Sequence, residues 1–335
     1  MYYKIMFMMI LMIGTLVSIS SYSWMGMWIG LEINLLSIIP LMSDVKNMQA
    51  SEASLKYFIT QALASTLLLF SIIMMSLSFT YNYDFNLYMS LILNTSLLTK
   101  MGAAPFHFWF PEVMEGLNWS TSLIMLTWQK LAPMTLLTYF SYSSFYIILS
   151  IVFSMLISGI MGLNQTSLRK ILAYSSINHI GWMLSTILIM ETMWFYYFII
   201  YTIITINILL IFQALNIFHL KQLFISMNYH YLLKFFFILN FLSLGGLPPF
   251  LGFFPKWLTI QNLIQSNMYT ISFLMIVMTL MTLYFYLRIT FTTMLLSTNE
   301  VSFYTHPNLK MTYMWIFNFI SLIGLIFSTI AFNYL

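Results

Sequence analysis

Apolar residues in this 335-residue chain fall into long, nearly unbroken stretches separated by short polar punctuation. The stretches lie near 4–21, 24–42, 55–79, 86–111, 119–140, 145–163, 168–190, 193–218, 232–266, 269–295 and 312–333. A helix needs about 20 apolar residues to cross a bilayer, whereas barrel strands need only about 10. Backbone polar groups in lipid must pair internally, so runs of this length are helices. The pattern predicts an all-α integral membrane protein with eleven transmembrane helices.

Two of the stretches are overlong and interrupted. Residues 86–111 carry Gly102, Pro105 and Pro111; residues 232–266 carry Gly245, Gly246, Pro248, Pro249 and Pro255. Each is the fourth helix of a group of five. An odd number of helices per repeat forces opposite topology, so the expectation is two inverted five-helix repeats with broken fourth helices plus one extra C-terminal helix. The segments are 1–140, 141–295 and 296–335. Broken helices in corresponding positions of two halves point to a transport site.

Charge tests the segment count. With the N-terminal side labelled A, Lys4, Lys46, Lys56, Arg169, Lys170, Lys221, Lys234, Arg288 and Lys310 all fall at or near A. Side B has only Asp84 and Glu191. The positive-inside bias puts the N-terminus on the positive-rich side. If 232–266 crossed twice, Arg288 and Lys310 would move to side B, so one broken crossing fits better. The first 20 residues, with Lys4 ahead of an apolar run, resemble a secretory signal, but the run is too long for one and is kept as the first span.

Composition agrees: 61% of residues are hydrophobic and 6% charged, against about 25% charged in soluble chains. There is no cysteine, which removes disulfides, thiolate chemistry and iron–sulfur ligation. The net charge of +4 comes from scattered Lys and Arg, without the basic cluster a nucleic-acid partner would need. Twenty-nine methionines read as adaptable apolar filler. Neither a G-x-G-x-x-G nor a G-x-x-x-x-G-K-[ST] fingerprint occurs, nor any metal-ligand spacing.

Once loop charges are set aside, Glu32, Lys100, Lys130 and Lys256 remain inside the spans. Lys130 lies about 17 Å into the fifth segment at 1.5 Å per residue. Lys100 and Lys256 adjoin the two interruptions, where freed backbone groups and water can surround a charge. An intramembrane charge costs about 2.5–3.5 kcal/mol on insertion scales, so four of them imply a use. A buried lysine beside a switchable carboxylate is a proton carrier whose affinity can be toggled, and Glu32 with Lys100 is the pair to examine. The plain alternative is an ion pair that only holds helices together. His179, set among Tyr174, Ser175, Ser176 and Asn178, is either a proton relay or a neutral interior histidine on a polar face. It is the one histidine deep in a span, which disfavours a two-histidine haem site. His107 reads as a local hydrogen-bonding group after the Pro105 break, and Glu112 and Glu115 as solvated or partner-bound on side A.

Four runs carry a family resemblance: K-M-G-A-A-P-F-H-F-W-F-P-E-V (100–113), W-Q-K-L-A-P (128–133), S-L-R-K-I-L-A-Y-S-S-I-N-H-I-G-W (167–182) and G-G-L-P-P-F-L-G-F-F-P-K-W (245–257). In sequence, order and spacing the chain resembles the antiporter-like subunits of respiratory complex I, the proton-pumping NADH:ubiquinone oxidoreductase. Absent cysteines, eleven spans and heavy Met and Ile use look like a mitochondrion-encoded animal form, insect-like in character. The resemblance implies a proton-translocating subunit in which Glu32 pairs with Lys100, Lys130 and Lys256 are central lysines, and His179 lies on the polar axis between them. It places the protein in the mitochondrial inner membrane with its N-terminus on the matrix side. It implies no cofactor within this chain: FMN, iron–sulfur clusters and ubiquinone belong to the parent complex. The implied partners are other membrane and accessory subunits and phospholipids such as cardiolipin, with no nucleic acid. The competing readings are a subunit of a multi-subunit cation/proton antiporter and a purely structural membrane subunit.

Overall fold

The computed structural model describes residues 2–44, 47–81, 86–140, 143–227, 231–248, 250–295 and 318–319. Lys46, Asp84, Pro249, Lys310 and nearly all of the expected helix 312–333 lie outside the described residues. Among those described, the fold is helical: α1 Tyr2–Ser20, α2 Trp24–Met42, α3 Met48–Tyr81, α4 Asn86–Met101, α5 Trp109–Gly116, α6 Trp119–Leu126, α7 Trp128–Tyr139, α8 Ser144–Gly162, α9 Leu168–Ile189, α10 Glu191–Leu215, α11 Leu220–Met227, α12 Tyr231–Gly245, α13 Phe253–Gln265 and α14 Tyr269–Leu295. Of these, α1, α2, α3, α8, α10 and α14 are by themselves long and apolar enough to cross a bilayer. The chain divides into two compact units, Met1–Ser154 and Met155–Leu335.

Most polar side chains in the helices are satisfied at home. Ser18, Ser37, Ser71, Ser96, Ser176 and Ser185 each donate to the carbonyl three residues back. Serine and threonine thus add no orphaned group to an apolar helix. Carboxamides, histidine and lysine cannot fold back so simply, and they must find partners on other helices.

In the first unit, small residues set the close approaches. A β-carbon on Gly30 would lie 2.5 Å from the backbone nitrogen of Ser18, so α1 and α2 touch backbone to backbone. Gly116 brings α5 onto α3, its missing β-carbon 2.4 Å from the Gln49 carbonyl. Small-residue contacts of this kind drive association where lipid removes the hydrophobic difference between helix and solvent.

In the second unit, α9 is the centre. Every residue from Ile171 to Ile187 is buried, as expected of a helix surrounded on all sides. Around it pack α10, α13 and α14, and Gly159 and Gly162 of α8 lie against Met281 and Phe285 of α14. The short helix α11 was not foreseen. It is tied to the start of α9 by Leu168 N–H to Phe218 carbonyl (3.0 Å) and Leu220 N–H to Thr166 carbonyl (3.1 Å). The Arg169 guanidinium stacks 4.2 Å over Phe218.

Both expected interruptions are present and end alike. At the end of α4, Gly102 has φ +74, its N–H donates to the Thr99 carbonyl and the Ala103 N–H to that of Leu98. At the end of α12, Gly246 has φ +79, its N–H donates to the Ser243 carbonyl and the Leu247 N–H to that of Leu242. This is the Schellman arrangement, for which glycine is the natural residue.

A third interruption departs from the expectation of one helix over 119–140. The structure has two, α6 and α7, parted at Thr127 (φ −113, ψ −73). Pro133 lies inside α7 and supplies no N–H to the Gln129 carbonyl, and its ring crowds that carbonyl. Thr127 Oγ1 and N–H both turn back onto the Leu123 carbonyl, at 2.7 and 3.1 Å. Lys130 is therefore in the first turn of a helix, where an uninterrupted span was expected.

Candidate functional site

Lys100, Lys130 and Lys256 each stand at a helix interruption and are buried: Lys100 is 7% exposed, Lys130 1% and Lys256 6%. An interruption leaves the last carbonyls of the preceding helix without helical partners, and these favour a cation at or reaching back to that end. The first turn of the following helix, where Lys130 and Lys256 stand, is by contrast the positive end of its dipole.

In the first unit, Lys100 occupies the last turn of α4. Glu32 of α2 acts on it through its charge, but no direct ion pair joins the two in the described structure. One Glu32 carboxylate oxygen, Oε1, is buried without a hydrogen-bond partner. Lys100 also lines a cavity of about 10 Å³, together with Asn34, Tyr57, Gln61 and Gln129.

Lys130 has an aromatic neighbour. Its ammonium lies 5.7 Å from the ring centroid of Phe110, and Phe110 packs onto Gly102, whose absent β-carbon would be 3.1 Å away. The end of α4, Phe110 and Lys130 therefore form one packed series. A cation over a desolvated ring gains about 0.5–2 kcal/mol.

In the second unit, Lys256 in the first turn of α13 reaches back across the interruption. Its Nζ donates to the carbonyls of Leu244 (3.1 Å) and Gly245 (2.8 Å) at the end of α12. Its ammonium lies 6.0 Å from the ring centroid of Trp182. His179, one turn before Trp182 on α9, shares that face of the helix. His179 Nδ1 is 2.9 Å from the Tyr197 hydroxyl of α10, and its ring centroid is 5.0 Å from that of Tyr201. Asn178 Nδ2 donates to Thr282 Oγ1 at 3.3 Å.

Two peripheral groups are also placed. His107 Nδ1 lies 3.3 Å from the Pro105 carbonyl, a local contact within the α4–α5 connection. Glu112 pairs with Lys56 at 2.9 Å, a link sequence reading did not foresee; Lys56 also reaches Glu52 at 3.0 Å. Sequence reading also passed over the amides Asn34, Gln61 and Gln129, although each is a carboxamide inside an apolar run and so needs a partner.

Several helices long and apolar enough to cross a bilayer, with lysines buried at helix interruptions, fit the antiporter-like class of membrane proteins. A family model described as NADH:quinone oxidoreductase/Mrp antiporter, transmembrane region, matches residues 21–282. The chain is 52% identical over 328 residues to NADH-ubiquinone oxidoreductase chain 2 of Anopheles gambiae, covering 96% of this chain and 95% of that one. It is 44% identical to the chain 2 of Locusta migratoria (96% and 95% covered) and 41% identical to that of Bos taurus (93% and 90% covered). The chain belongs to the NADH-ubiquinone oxidoreductase chain 2 family. Two solved structures share its fold. One is a respiratory complex I chain from Thermus thermophilus (TM-score 0.81, 21% identity, 97% of this chain and 79% of that one). The other is a chain of the Mrp complex from Dietzia (TM-score 0.73, 17% identity, 84% and 59% covered).

Proposed function

We propose that this chain is the antiporter-like, proton-translocating membrane subunit of NADH:ubiquinone oxidoreductase, and that Glu32, Lys100, Lys130 and Lys256 carry the protons with His179 as a relay. The observation behind the assignment of residues is the burial of all three lysines at helix interruptions. Lys256 is held by two carbonyls and an aromatic face and Lys130 lies over an aromatic ring, surroundings that tolerate a neutral amine better than a bonded carboxylate would. Lys100 has Glu32 as the carboxylate that would toggle it.

In this reading NADH oxidation and quinone reduction take place in other subunits, which hold FMN, iron–sulfur clusters and ubiquinone. Their energy arrives as a change in the coupling of Glu32 to Lys100. Protons then redistribute among Lys100, Lys130 and Lys256 through water, and one leaves on the side poor in Lys and Arg. We place the chain in the mitochondrial inner membrane with eleven crossings in two inverted five-helix repeats plus a C-terminal helix, its N-terminus facing the matrix. Other membrane subunits, accessory subunits and phospholipids such as cardiolipin surround it. Replacing Lys130 by Met in the assembled complex should slow coupled turnover by about a hundredfold, the scale on which a positioned proton-transfer group acts. Proton pumping at the parent rate in a normally assembled Lys130→Met complex would refute the role.

The alternative, a multi-subunit cation/proton antiporter, draws on the fold shared with the Dietzia Mrp chain. It predicts that the protein migrates in native gels apart from NADH dehydrogenase activity, whereas the favoured reading predicts co-migration.

A further inference from the structure

A carboxamide buried in an apolar helix bundle costs about 1–3 kcal/mol unless its donor and acceptor are both met. In the first unit three carboxamides, two of them buried and one half-buried, and a phenol converge on one place. Asn34 is on α2, Tyr57 and Gln61 on α3, and Gln129 on α7; Asn34, Tyr57 and Gln61 are buried. Gln129 Nε2 donates to Asn34 Oδ1 at 2.8 Å, and the Tyr57 hydroxyl donates to Gln129 Oε1 at 3.5 Å. Gln61 Nε2 donates to the Lys100 backbone carbonyl at 3.4 Å. All four side chains and Lys100 line the same cavity, which is about 10 Å³. That is roughly the room one water requires, and the walls offer the two to four polar partners a buried water uses.

Gln129 immediately precedes Lys130 in the first turn of α7, next to the break at Thr127. Its side chain lines the cavity of Lys100, and one backbone step joins it to Lys130, so the cavity and the turn that carries Lys130 share a single segment of chain. A neutral amide does not itself pass protons at physiological pH; it orients the water that does. With Gln129 tied to both Asn34 and Tyr57, the cavity beside Lys100 is about the size of one water. Rotation of the Gln129 side chain about its own bonds, away from Asn34, would widen it.

We infer that Gln129, held by Asn34 and Tyr57, is a positioning residue that gates water between Lys100 and Lys130. The closed form is the hydrogen-bonded one in this structure. The inference rests on the proton-translocating reading above, and its test separates the two.

The test uses the assembled complex in sealed proteoliposomes, with assembly checked on native gels. Both variants are read in both measurements: structural damage would slow turnover and speed the leak together, whereas the gate predicts slow turnover with parent-level gradient retention in Gln129→Leu and a fast leak in Asn34→Ala. Gln129→Leu lines the cavity with an apolar side chain of similar bulk that cannot orient water, and NADH-driven turnover should fall about tenfold or more. Asn34→Ala frees Gln129 Nε2 and enlarges the cavity, so an imposed pH gradient should collapse several-fold faster than in the parent. Parent-level turnover in Gln129→Leu, or parent-level gradient retention in Asn34→Ala, overturns the gate. Lys100→Met in the same preparation is the control: if it too turns over at the parent rate, the failure lies with the proton-translocating reading.

Discussion

A β-carbon on Gly246 would lie 2.7 Å from Cδ of Lys256 and 2.8 Å from its Nζ, so the end of α12 and the ammonium of α13 share one tightly filled space. Glycine serves twice there: it adopts φ +79, and it leaves room for the lysine to reach the Leu244 and Gly245 carbonyls. Gly246→Ala should cost about 1–2 kcal/mol for the left-handed backbone and also push Nζ off its two acceptors. The expected outcome is a complex that assembles at reduced yield and whose remaining turnover per assembled unit falls about tenfold. Gly102→Ala has the same backbone cost, but its β-carbon meets Phe110 at 3.1 Å, so it bears on Lys130 only through that ring. Native-gel yield set against turnover per unit separates stability from function; parent-level turnover per assembled unit in Gly246→Ala would show that the Lys256 position is immaterial.

Glu32 and Lys100 interact through their charges without a direct bond. Residues coupled in this way give non-additive double mutants, with interaction energies of about 0.5–3 kcal/mol. Glu32→Gln and Lys100→Met should each slow turnover, and the double variant should be scarcely worse than the slower single. Rates that multiply would mean the two residues act independently. The measurement is a four-way comparison of NADH-driven turnover at matched assembly.

His179 and Tyr197 are joined at 2.9 Å in the buried centre of the second unit. Tyr197→Phe keeps the ring and removes only the hydroxyl, at a stability cost of about 0.5–1.5 kcal/mol. If that hydroxyl sets which His179 nitrogen carries the proton, the pH profile of turnover should change shape in Tyr197→Phe while assembly stays near the parent level. A profile that is merely scaled down would assign His179 a packing role.

The sequence exposed the interruptions at Gly102 and Gly246 because glycine and proline mark them directly, and it exposed the lysines because a charge in an apolar run is conspicuous. It did not expose the break at Thr127. Pro133 does not mark it directly: the carbonyl that proline deprives, that of Gln129, lies two residues beyond Thr127, inside α7. Nor did it expose the Asn34–Gln129 bond, which joins residues 95 apart in the chain. A lone amide in an apolar run shows that a partner is needed but not which one. The absence of a direct Glu32–Lys100 bond is likewise a matter of side-chain reach across two helices, on which spacing along the chain is silent.

Pro133 therefore offers a way to test whether the third interruption matters. Pro133→Ala restores the N–H that the Gln129 carbonyl lacks and replaces the poorest helix former by the best, a difference of about 3 kcal/mol in a helix interior. Helix α7 should extend through Thr127 into α6, and the amides of residues 127–130 should become more protected from hydrogen exchange. Assembly should be unimpaired or improved. Turnover should nevertheless fall, because a continuous helix would carry Lys130 away from the Phe110 ring and draw Gln129 out of register with Asn34. A variant whose amides gain protection while turnover stays at the parent level would show the break to be incidental. Loss of turnover without added protection would mean that Pro133 acts through its own contact with the Lys100 cavity, which it lines.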